Sequence, residues 1–378
     1  MKMGRIADAV VVGGGIAGVS VACHLAKNGI GKIILLEKEP LLGMGSSAAS
    51  AGIIYHHFSE PVNRQLSRAS LQALLEFEDR FETDIDLRQS GCIQTAGTPE
   101  DLAVLEGMHR GLAELKVHSR MLAPTELTHL IPGLVSTDLL GALFTPGDGY
   151  FDPHGVIQGY AAAARRLGVD FVTNTPAIDL VVHSGKIEGV RTPAGLVSTR
   201  IVVDSAGPLA ADVARMAAVR VPIVTVKRQI FISAPTAAVR NDAPFYFDRN
   251  PPFYFRPESG GLLMSIAEMD ECGADNLVVD WRSAEILAER ALNRLPALES
   301  TRIMRGWAGL RSMTPDRAAI LGPAGEPEGF SFACGFSGHG VMHSPMTGKI
   351  VAALVTEPAL KSCDGVDLVP LQFDRFLS

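Results

Sequence analysis

The hydrophobic residues near the start of the chain predict a strand, a turn and a helix. Ala9 to Val12 is a short valine-rich run that ends at Gly13. Ile16 to Lys27 then carries small and apolar residues at helical spacing, and a second apolar run, Lys32 to Leu36, ends at Glu37. Short continuous apolar runs favour buried strands, whereas recurrence every three or four residues favours a helix. Together these segments have the length of one βαβ unit.

Further along, the pattern alternates between helices and strands. Apolar residues recur every three or four positions from Val62 to Phe81, which predicts one amphipathic helix. Gly149 to Gly168 is helical in pattern, Val169 to Val190 predicts strands that turn at Ser184-Gly185, and Ile201 to Val203 predicts a short buried strand.

Two other segments, 85–148 and 215–305, carry aromatics, prolines and alternating patterns that suit an antiparallel sheet. We therefore predict an α/β fold with a Rossmann-type dinucleotide-binding domain, formed by 1–84, 149–214 and 306–378. A mixed, largely antiparallel α+β domain for the substrate, formed by 85–148 and 215–305, is inserted in pieces. A chain of 378 residues exceeds the usual size of a single core, which favours two domains.

Composition narrows the class of function. The formal charge of -7 and pI near 5.8 leave no basic surplus for nucleic acid or an anionic membrane. Five cysteines without a CxxC pair indicate no disulfide framework and no zinc or iron-sulfur site, so we expect a reducing, cytoplasmic setting. The apolar stretch from Ala9 to Ala26 contains four glycines and His24, so we expect no transmembrane segment there.

A glycine-rich turn lies between the first predicted strand and helix. Gly13-Gly14-Gly15-Ile16-Ala17-Gly18 has the GxGxxG spacing, and Glu37 ends the next strand. Gly13 permits the tight turn, Gly15 lets the backbone approach a pyrophosphate, and Gly18 lets helix and strand pack closely. The helix N-terminus favours the negative charge, and Glu37 would accept ribose hydroxyls. This pattern predicts a dinucleotide site but does not separate NAD from FAD.

Four separated motifs resemble those of the D-amino-acid oxidase superfamily, in the order of that family. They are Ser46 to Gly52 after the second strand, Val202-Val203-Asp204-Ser205-Ala206-Gly207, Trp307-Ala308-Gly309-Leu310-Arg311-Ser312 and Gly335-Phe336-Ser337-Gly338-His339-Gly340-Val341-Met342. Within the superfamily the chain resembles glycine and sarcosine oxidases, D-arginine dehydrogenase and the catalytic subunit of dye-linked proline dehydrogenases. The resemblance implies FAD, and no residue signals covalent attachment.

The same resemblance assigns residues to the two halves of the site. Those expected to hold FAD are Gly13, Gly15, Ile16, Ala17, Gly18, Glu37, Lys38, Ser46, Ser47, Ser50, Ala51, Gly52, Ala177, Ala206, Gly207, Arg311, Gly338, His339, Gly340, Val341 and Met342. Those expected at the reaction are Arg311 and Tyr254, which would bind the substrate carboxylate, with Tyr55, His57 and His339 around the flavin ring. An arginine can hold a carboxylate by two parallel charge-assisted hydrogen bonds.

The segment from Ile53 to Phe58 is expected to line the substrate side of the ring. If it continues as a strand, the adjacent His56 and His57 point to opposite faces, so we predict no metal site. No His-Asp pair stands out as a general base, so we expect the substrate amine to react in its neutral form.

Departures from the relatives bear on the substrate. The chain has Ala49 and Gln229 where some relatives carry arginines, and Met342 where some sarcosine oxidases carry a lysine. With a mostly apolar entry segment, Gln229 favours a neutral, small or cyclic substrate such as a proline derivative or an N-substituted glycine.

The sequence thus predicts an enzyme that oxidises the carbon-nitrogen bond of a small amino or imino acid, passing a hydride to flavin N5. The resulting imine would hydrolyse to an oxo acid. Two alternatives stay open: a non-catalytic flavin-binding module of a larger complex and an NAD(P)H-dependent flavin hydroxylase. The electron acceptor, whether oxygen, a dye, a quinone or a partner subunit, is equally open, as is the oligomeric state.

Overall fold

The computed structural model describes residues 5–266, 270–273 and 276–377. The predicted piece 215–305 therefore contains five residues, 267–269 and 274–275, that lie outside the described part. The α-helices are α1 Ile16–Lys27, α2 Pro61–Leu75, α3 Phe77–Phe81, α4 Pro99–Glu114, α5 Pro124–Leu130, α6 Pro153–Arg166, α7 Ala210–Met216, α8 Arg282–Arg294 and α9 Gly340–Thr356.

The strands, which form several separate sheets, are β1 Arg5–Ile6, β2 Ala9–Val12, β3 Ile33–Leu36, β4 Ile53–Ile54, β5 Cys92–Ala96, β6 Arg120–Leu122, β7 Gly141–Thr145, β8 Gly149–Tyr150, β9 Asp170–Val172, β10 Asp179–His183, β11 Lys186–Thr192, β12 Gly195–Ser198, β13 Val202–Asp204, β14 Val224–Ser233, β15 Phe245–Arg249, β16 Pro252–Glu258, β17 Gly261–Ser265, β18 Asp270–Glu271, β19 Ile303–Met313, β20 Ile320–Pro323, β21 Phe330–Cys334, β22 Ser362–Cys363 and β23 Val366–Asp367.

A six-stranded sheet carries the glycine-rich turn. Its strand order is β20-β21-β13-β2-β3-β9, with all neighbours parallel except β20 and β21. The central strands β2 and β3 are fully buried, which explains their continuous apolar runs. Helix α1 packs against α6 and α9 over one face of this sheet. The βαβ unit and the Rossmann-type α/β fold predicted from the sequence are confirmed.

A nine-stranded mixed sheet forms the other large layer. Its order is β18-β14-β17-β16-β15-β5-β7-β6, and β19 pairs with β14 outside this path. All of its pairings are antiparallel except that of β15 with β5. The predicted boundary between residues 305 and 306 falls inside β19, which pairs with β14 from Ile303 to Met313. This strand therefore belongs to the second sheet along its whole length.

The predicted single helix from 62 to 81 is wrong in one respect. Helix α2 ends at Leu75 and α3 begins at Phe77, with Glu76 between them outside helical geometry. The break at Glu76 frees α3 from the direction of α2, and Phe77 and Phe81 both pack on Tyr160 of α6. Tertiary packing thus takes priority over a continuous amphipathic period.

None of the helices in the described residues combines the length and the apolar character needed to cross a membrane. All five cysteines are free thiols.

Candidate active site

At two of its glycines, the glycine-rich turn makes backbone contacts that leave no room for a side chain. A Cβ at Gly13, whose φ is +106°, would lie 2.4 Å from the Ser205 carbonyl oxygen. A Cβ at Gly18 would lie 2.0 Å from the Gly13 carbonyl oxygen. Gly15 differs, because its Cβ would meet only the Ser47 hydroxyl, at 3.4 Å. Gly13 and Gly18 therefore serve the fold, and Gly15 faces open space at the start of α1.

That open space is a cavity of about 1040 Å³ between the two large sheets. Its volume is at the upper end of the range for small-molecule sites, so it takes an extended ligand. Of the residues predicted to hold FAD, Gly18 and Gly52 do not line the cavity. Those that do are Gly13, Gly15, Ile16, Ala17, Glu37, Lys38, Ser46, Ser47, Ser50, Ala51, Ala177, Ala206, Gly207, Arg311, Gly338, His339, Gly340, Val341 and Met342.

Glu37 is held at one end of the cavity by backbone amides. Its Oε2 accepts a hydrogen bond from Gly14 N at 2.6 Å, and its Oε1 accepts one from Glu39 N at 2.8 Å. Nearby, Ile16 N donates to Ser47 Oγ at 3.0 Å and so joins the start of α1 to the segment after β3. The cavity therefore has a fixed carboxylate at the end of β3 and a helix N-terminus beside it, which suits a ribose followed by a pyrophosphate.

Arg311 and Tyr254 line the cavity at its other end. Arg311 comes from β19 and Tyr254 from β16, and Tyr254 is buried. The Arg311 guanidinium lies against Gly338, where a Cβ would come within 2.7 Å of its Cζ. Within the part of the chain that the structure describes, Arg311 makes no ion pair with a carboxylate. A cation in a cavity wall without a protein counter-charge favours an anionic ligand.

Aromatic side chains surround His339, the residue before α9. The Phe58 ring lies edge-on to the His339 ring with centroids 4.6 Å apart, and Tyr55 stacks on Phe58 at 4.8 Å. Burial, and to a lesser degree the neighbouring His343 and Arg311, hold the pKa of His339 well below its usual value. Among the described residues, His339 Nδ1 has no hydrogen-bond partner. Burial therefore favours the uncharged imidazole of His339, which lines the cavity.

The two adjacent histidines do not point to opposite faces, because the strand they were expected to extend, β4, ends at Ile54. His56 Nδ1 lies 2.5 Å from Asp148 Oδ1, and His57 Nε2 lies 3.9 Å from Asp148 Oδ2. The expectation that they diverge is wrong, because both histidines approach Asp148. Of the two, only His57 lines the cavity.

His57 is fixed by two further side chains. Its Nε2 is hydrogen-bonded to Thr145 Oγ1 at 2.7 Å, and its Nδ1 lies 3.5 Å from Cys92 Sγ. Burial lowers the pKa of His57 to about 4, despite the opposing charge of Asp148. The ligand atoms of His57, Cys92 and Asp148 lie within 4.8 Å of one another, close enough to hold a metal ion. That the protein uses no metal therefore stays a prediction.

Gln229 does not take part in the cavity wall. Its amide donates to Ser283 Oγ at 2.8 Å and accepts from Asp280 N at 2.5 Å, on the side of β14 that faces α8. Its neighbour Arg228 is buried and lines the cavity instead. Gln229 therefore gives no support to the predicted neutral substrate, since side chains alternate along a strand and Arg228 is the one that faces the cavity.

Arg228, Cys92, Gln94 and Phe247 are among the cavity residues that sequence reasoning missed. It also missed Asp148, which is fully buried behind them. Alternation of side chains along β5 places Cys92 and Gln94 on the same face. No local sequence pattern indicates the contact between Cys92 and His57, because the two residues are 35 positions apart and meet only in the folded chain.

Comparison with known proteins places this site in a family. The family model described as FAD dependent oxidoreductase (DAO) matches residues 8–354. The chain is 30% identical over 351 residues to human mitochondrial sarcosine dehydrogenase, and the match covers 89% of this chain and 38% of that protein. It is 27% identical over 392 residues to rat mitochondrial dimethylglycine dehydrogenase, covering 98% and 45%. The chain thus spans less than half the length of these relatives.

Two solved structures are similar over almost their whole length. L-proline dehydrogenase from P. horikoshii has a TM-score of 0.91 and 25% identity, covering 99% of each chain. Glycine oxidase from Geobacillus kaustophilus has a TM-score of 0.86 and 26% identity, covering 99% of this chain and 100% of that one. The class defined by fold and site is that of FAD-binding oxidoreductases with a Rossmann-type domain. This chain belongs to the DAO family of FAD-dependent oxidoreductases, and the predicted family and cofactor are confirmed.

Proposed function

We propose that the protein oxidises the carbon-nitrogen bond of a small amino or imino acid, giving an imine that water hydrolyses to an oxo acid. One observation carries the proposal: Arg311 reaches the cavity without a carboxylate partner among the described residues. The names of the relatives, which include sarcosine dehydrogenase and glycine oxidase, support a substrate of this class.

The cavity fits FAD by the chemistry of its wall. The open face of Gly15 and the start of α1 would hold the pyrophosphate, and Glu37, held by its two backbone amides, would accept the ribose hydroxyls on its remaining lone pairs. At the ring, α9 points its N-terminus, from Gly340, at the cavity and would favour negative charge there. FAD, when bound, supplies the two-electron acceptor for the reaction.

The residues of the chain bind and orient the substrate. Arg311 would hold the carboxylate through two parallel hydrogen bonds, and the Tyr254 hydroxyl would add a third. Arg228 adds positive charge to the same wall: it and Arg311 both lower the pKa of His339, after burial and His343. The aromatic groups of Tyr55 and Phe58 cover this end and exclude water, which strengthens the charge-assisted contacts.

No cavity histidine is a strong base at neutral pH. Burial is the main reason that the pKa of His57 falls to about 4 and that the pKa of His339 lies well below its usual value. Both imidazoles are therefore uncharged in neutral and alkaline solution. The proton of the substrate ammonium group must leave before the carbon-nitrogen bond is oxidised, and the amine then reacts in its neutral form.

The rate of flavin reduction by substrate should rise with pH through a single alkaline ionisation. The rise follows because a neutral amine is required and because His57 and His339 change charge only in acid. Stopped-flow measurement of flavin bleaching against pH checks this. A flat profile from about pH 6 to 10 would contradict it, and an inflection near neutral pH would point to a histidine base.

The proposal is tested by mixing the holoenzyme with a panel of amino and imino acids and following the flavin absorbance. We expect bleaching by at least one neutral amino or imino acid and none by NADPH. Bleaching by NADPH would favour a hydroxylase, and no bleaching at all would favour a non-catalytic flavin-binding module. Repeating the panel with oxygen and with an artificial dye separates an oxidase from a dehydrogenase whose acceptor is a quinone or a partner subunit. A cytoplasmic location and any oligomer stay predictions.

A further inference from the structure

We infer that Arg64 is a positioning residue of the active site: it holds the backbone of Phe58 and Ser59 in the cavity wall, and helix α4 keeps its guanidinium in place at Gly111. The inference rests on the proposed function, because Phe58 and Ser59 line the cavity in which the substrate would react. Arg64 itself lies behind that wall and would act through these two residues.

Arg64 lies near the start of α2 and reaches back over the beginning of its own helix. Its Nη1 donates to the carbonyl oxygen of Phe58 at 2.6 Å and to that of Ser59 at 3.0 Å. Helix α2 packs against α9, and Asn63 of α2 donates to the Arg317 carbonyl oxygen at 3.2 Å. The two carbonyls are therefore tied to a helix that is itself held in the core.

The rest of the same segment is held by other contacts, so Arg64 has a distinct share. Strand β4 pairs with β8, and the next residues are fixed where the backbone N and the Nδ1 of His56 both bond to Asp148. Beyond this point, Phe58 N donates to the His56 carbonyl oxygen at 2.8 Å. The following carbonyls, of Phe58 and Ser59, are the ones that Arg64 holds.

A guanidinium is an expensive side chain to place at this position. Arg64 is 8% exposed, and burial lowers its pKa against the opposing charges of Glu114 and Glu60. Among the described residues, its Nε has no hydrogen-bond partner. An apolar side chain would fill the same space without this desolvation. What the charged group adds is the pair of charge-assisted hydrogen bonds to the backbone of the cavity wall.

Helix α4 has no side chain where it meets Arg64. A Cβ at Gly111 would lie 2.6 Å from Nη2 and 2.7 Å from Cζ of the guanidinium. Alanine is the better helix former in a helix interior, so local propensity does not account for a glycine here. Helix α4 packs on β5 and β7 of the nine-stranded sheet. The guanidinium thus joins a helix of one sheet to a helix of the other, directly behind the active-site segment.

Fixing the backbone at Phe58 also fixes the aromatic groups at this end of the cavity. The Phe58 ring stacks on Tyr55 and lies edge-on to His339. Arg311 and Tyr254, which would hold the substrate carboxylate, come from β19 and β16 instead. Losing the guanidinium contacts should therefore loosen one wall of the site and leave the carboxylate contacts in place.

Amide hydrogen exchange of the holoprotein tests the inference without any substrate. In Arg64→Met, exchange in peptides covering residues 55–60 should be about tenfold faster or more, with exchange in β19 unchanged. Gly111→Ala should have the same local effect, because the end of an arginine side chain moves more readily than a helix backbone. The matched control is Gly107→Ala on the same helix, where a Cβ meets only an Arg110 nitrogen at 3.9 Å. It should exchange like the wild type.

Two outcomes of the exchange experiment count against the inference. Wild-type exchange at residues 55–60 in Arg64→Met would overturn it. Wild-type exchange in Gly111→Ala, together with a change in Arg64→Met, would overturn the part assigned to α4.

Stopped-flow kinetics then tests the link to the reaction. With a substrate that bleaches the wild-type flavin, the limiting rate should fall about five- to hundredfold in Arg64→Met and in Gly111→Ala, since a small misplacement is costly. The affinity for acetate, an inert carboxylate read from the flavin spectrum, should stay within about twofold, because its contacts lie elsewhere. Arg64→Lys, which keeps one charged donor, should recover part of the rate.

The two measurements distinguish this inference from the proposed function. If no amino or imino acid reduces the wild-type flavin, the proposed function fails, and the exchange result still decides whether Arg64 holds the cavity wall. A wild-type rate in Arg64→Met despite faster exchange would overturn its role in the reaction. Equal losses of rate and of acetate affinity would indicate general damage to the cavity and would overturn it as well.

Discussion

Replacing Arg311 by lysine should weaken substrate binding roughly ten- to hundredfold, with normal FAD content. A lysine keeps the charge but loses the planar, two-point contact to a carboxylate. Hydrogen bonds to charged groups contribute about 1.5 to 3 kcal/mol, which sets this range. Arg311→Ala should be worse. The measurement is the substrate concentration dependence of flavin reduction in the stopped flow.

Arg305→Ala is the matched control. Arg305 lies on the same strand, β19, but is exposed and contacts the Trp307 ring rather than the cavity. Its replacement should leave substrate binding unchanged. If Arg305→Ala weakens binding as much as Arg311→Ala, the loss reflects damage to β19.

A substrate ester identifies the contact itself. Esterification should cost the wild-type enzyme about as much as the alanine change does, because both remove one partner of the same pair. On Arg311→Ala the ester should show little further loss, since the interaction is already absent. Fully additive losses would mean that Arg311 does not hold the carboxylate, and the amino-acid proposal would lose its main support.

Replacing Gly15 by valine should produce a folded protein that binds FAD more weakly. The φ of Gly15 is -68°, which any residue can adopt, and a Cβ there meets only the Ser47 hydroxyl. The extra methyl groups instead project to where a pyrophosphate would meet the backbone. Overpacking of this kind costs about 1 to 3 kcal/mol, so FAD binding should weaken by about five- to 150-fold. Flavin absorbance per protein and far-ultraviolet circular dichroism measure the two properties separately.

Substitutions at two other glycines serve as controls for this result. Gly18→Ala places a Cβ 2.0 Å from the Gly13 carbonyl, so it should lower the stability of the fold itself. Gly107→Val, on α4, meets only an Arg110 nitrogen at 3.9 Å and should keep FAD. Normal FAD content in Gly15→Val would show that the pyrophosphate does not approach this residue.

Features carried by neighbouring residues could be predicted from the sequence. The βαβ unit, the glycine turn and Glu37 at the end of β3 lie within about forty consecutive positions, and local periodicity and turn chemistry specify them. The same holds for α6 and for the hairpin of β10 and β11 at Ser184-Gly185. The resemblance to a family supplied Arg311 and Tyr254, which periodicity alone would not have singled out.

Contacts between distant segments could not be predicted. His56 and Asp148 are 92 positions apart, and no pattern in either segment indicates the other. They meet because β4 pairs with β8, directly after Asp148, and the chain leaves strand geometry before His56. A strand continued by two residues would have separated the histidines, as the sequence suggested.

The clearest feature that the sequence could not specify is which of Arg228 and Gln229 faces the cavity. The sequence by itself predicted an antiparallel sheet within 215–305, and successive side chains of any strand alternate between its two faces. Only the tertiary structure decided which set faces the ligand, through the register of β14 with β19 and the position of α8 on the other side. A shift of one residue exchanges the two faces, so a local pattern with polar residues on both cannot specify the answer. Neighbouring residues therefore specified the glycine-rich turn at one end of the cavity, and packing between the two sheets decided which side chains form its other wall.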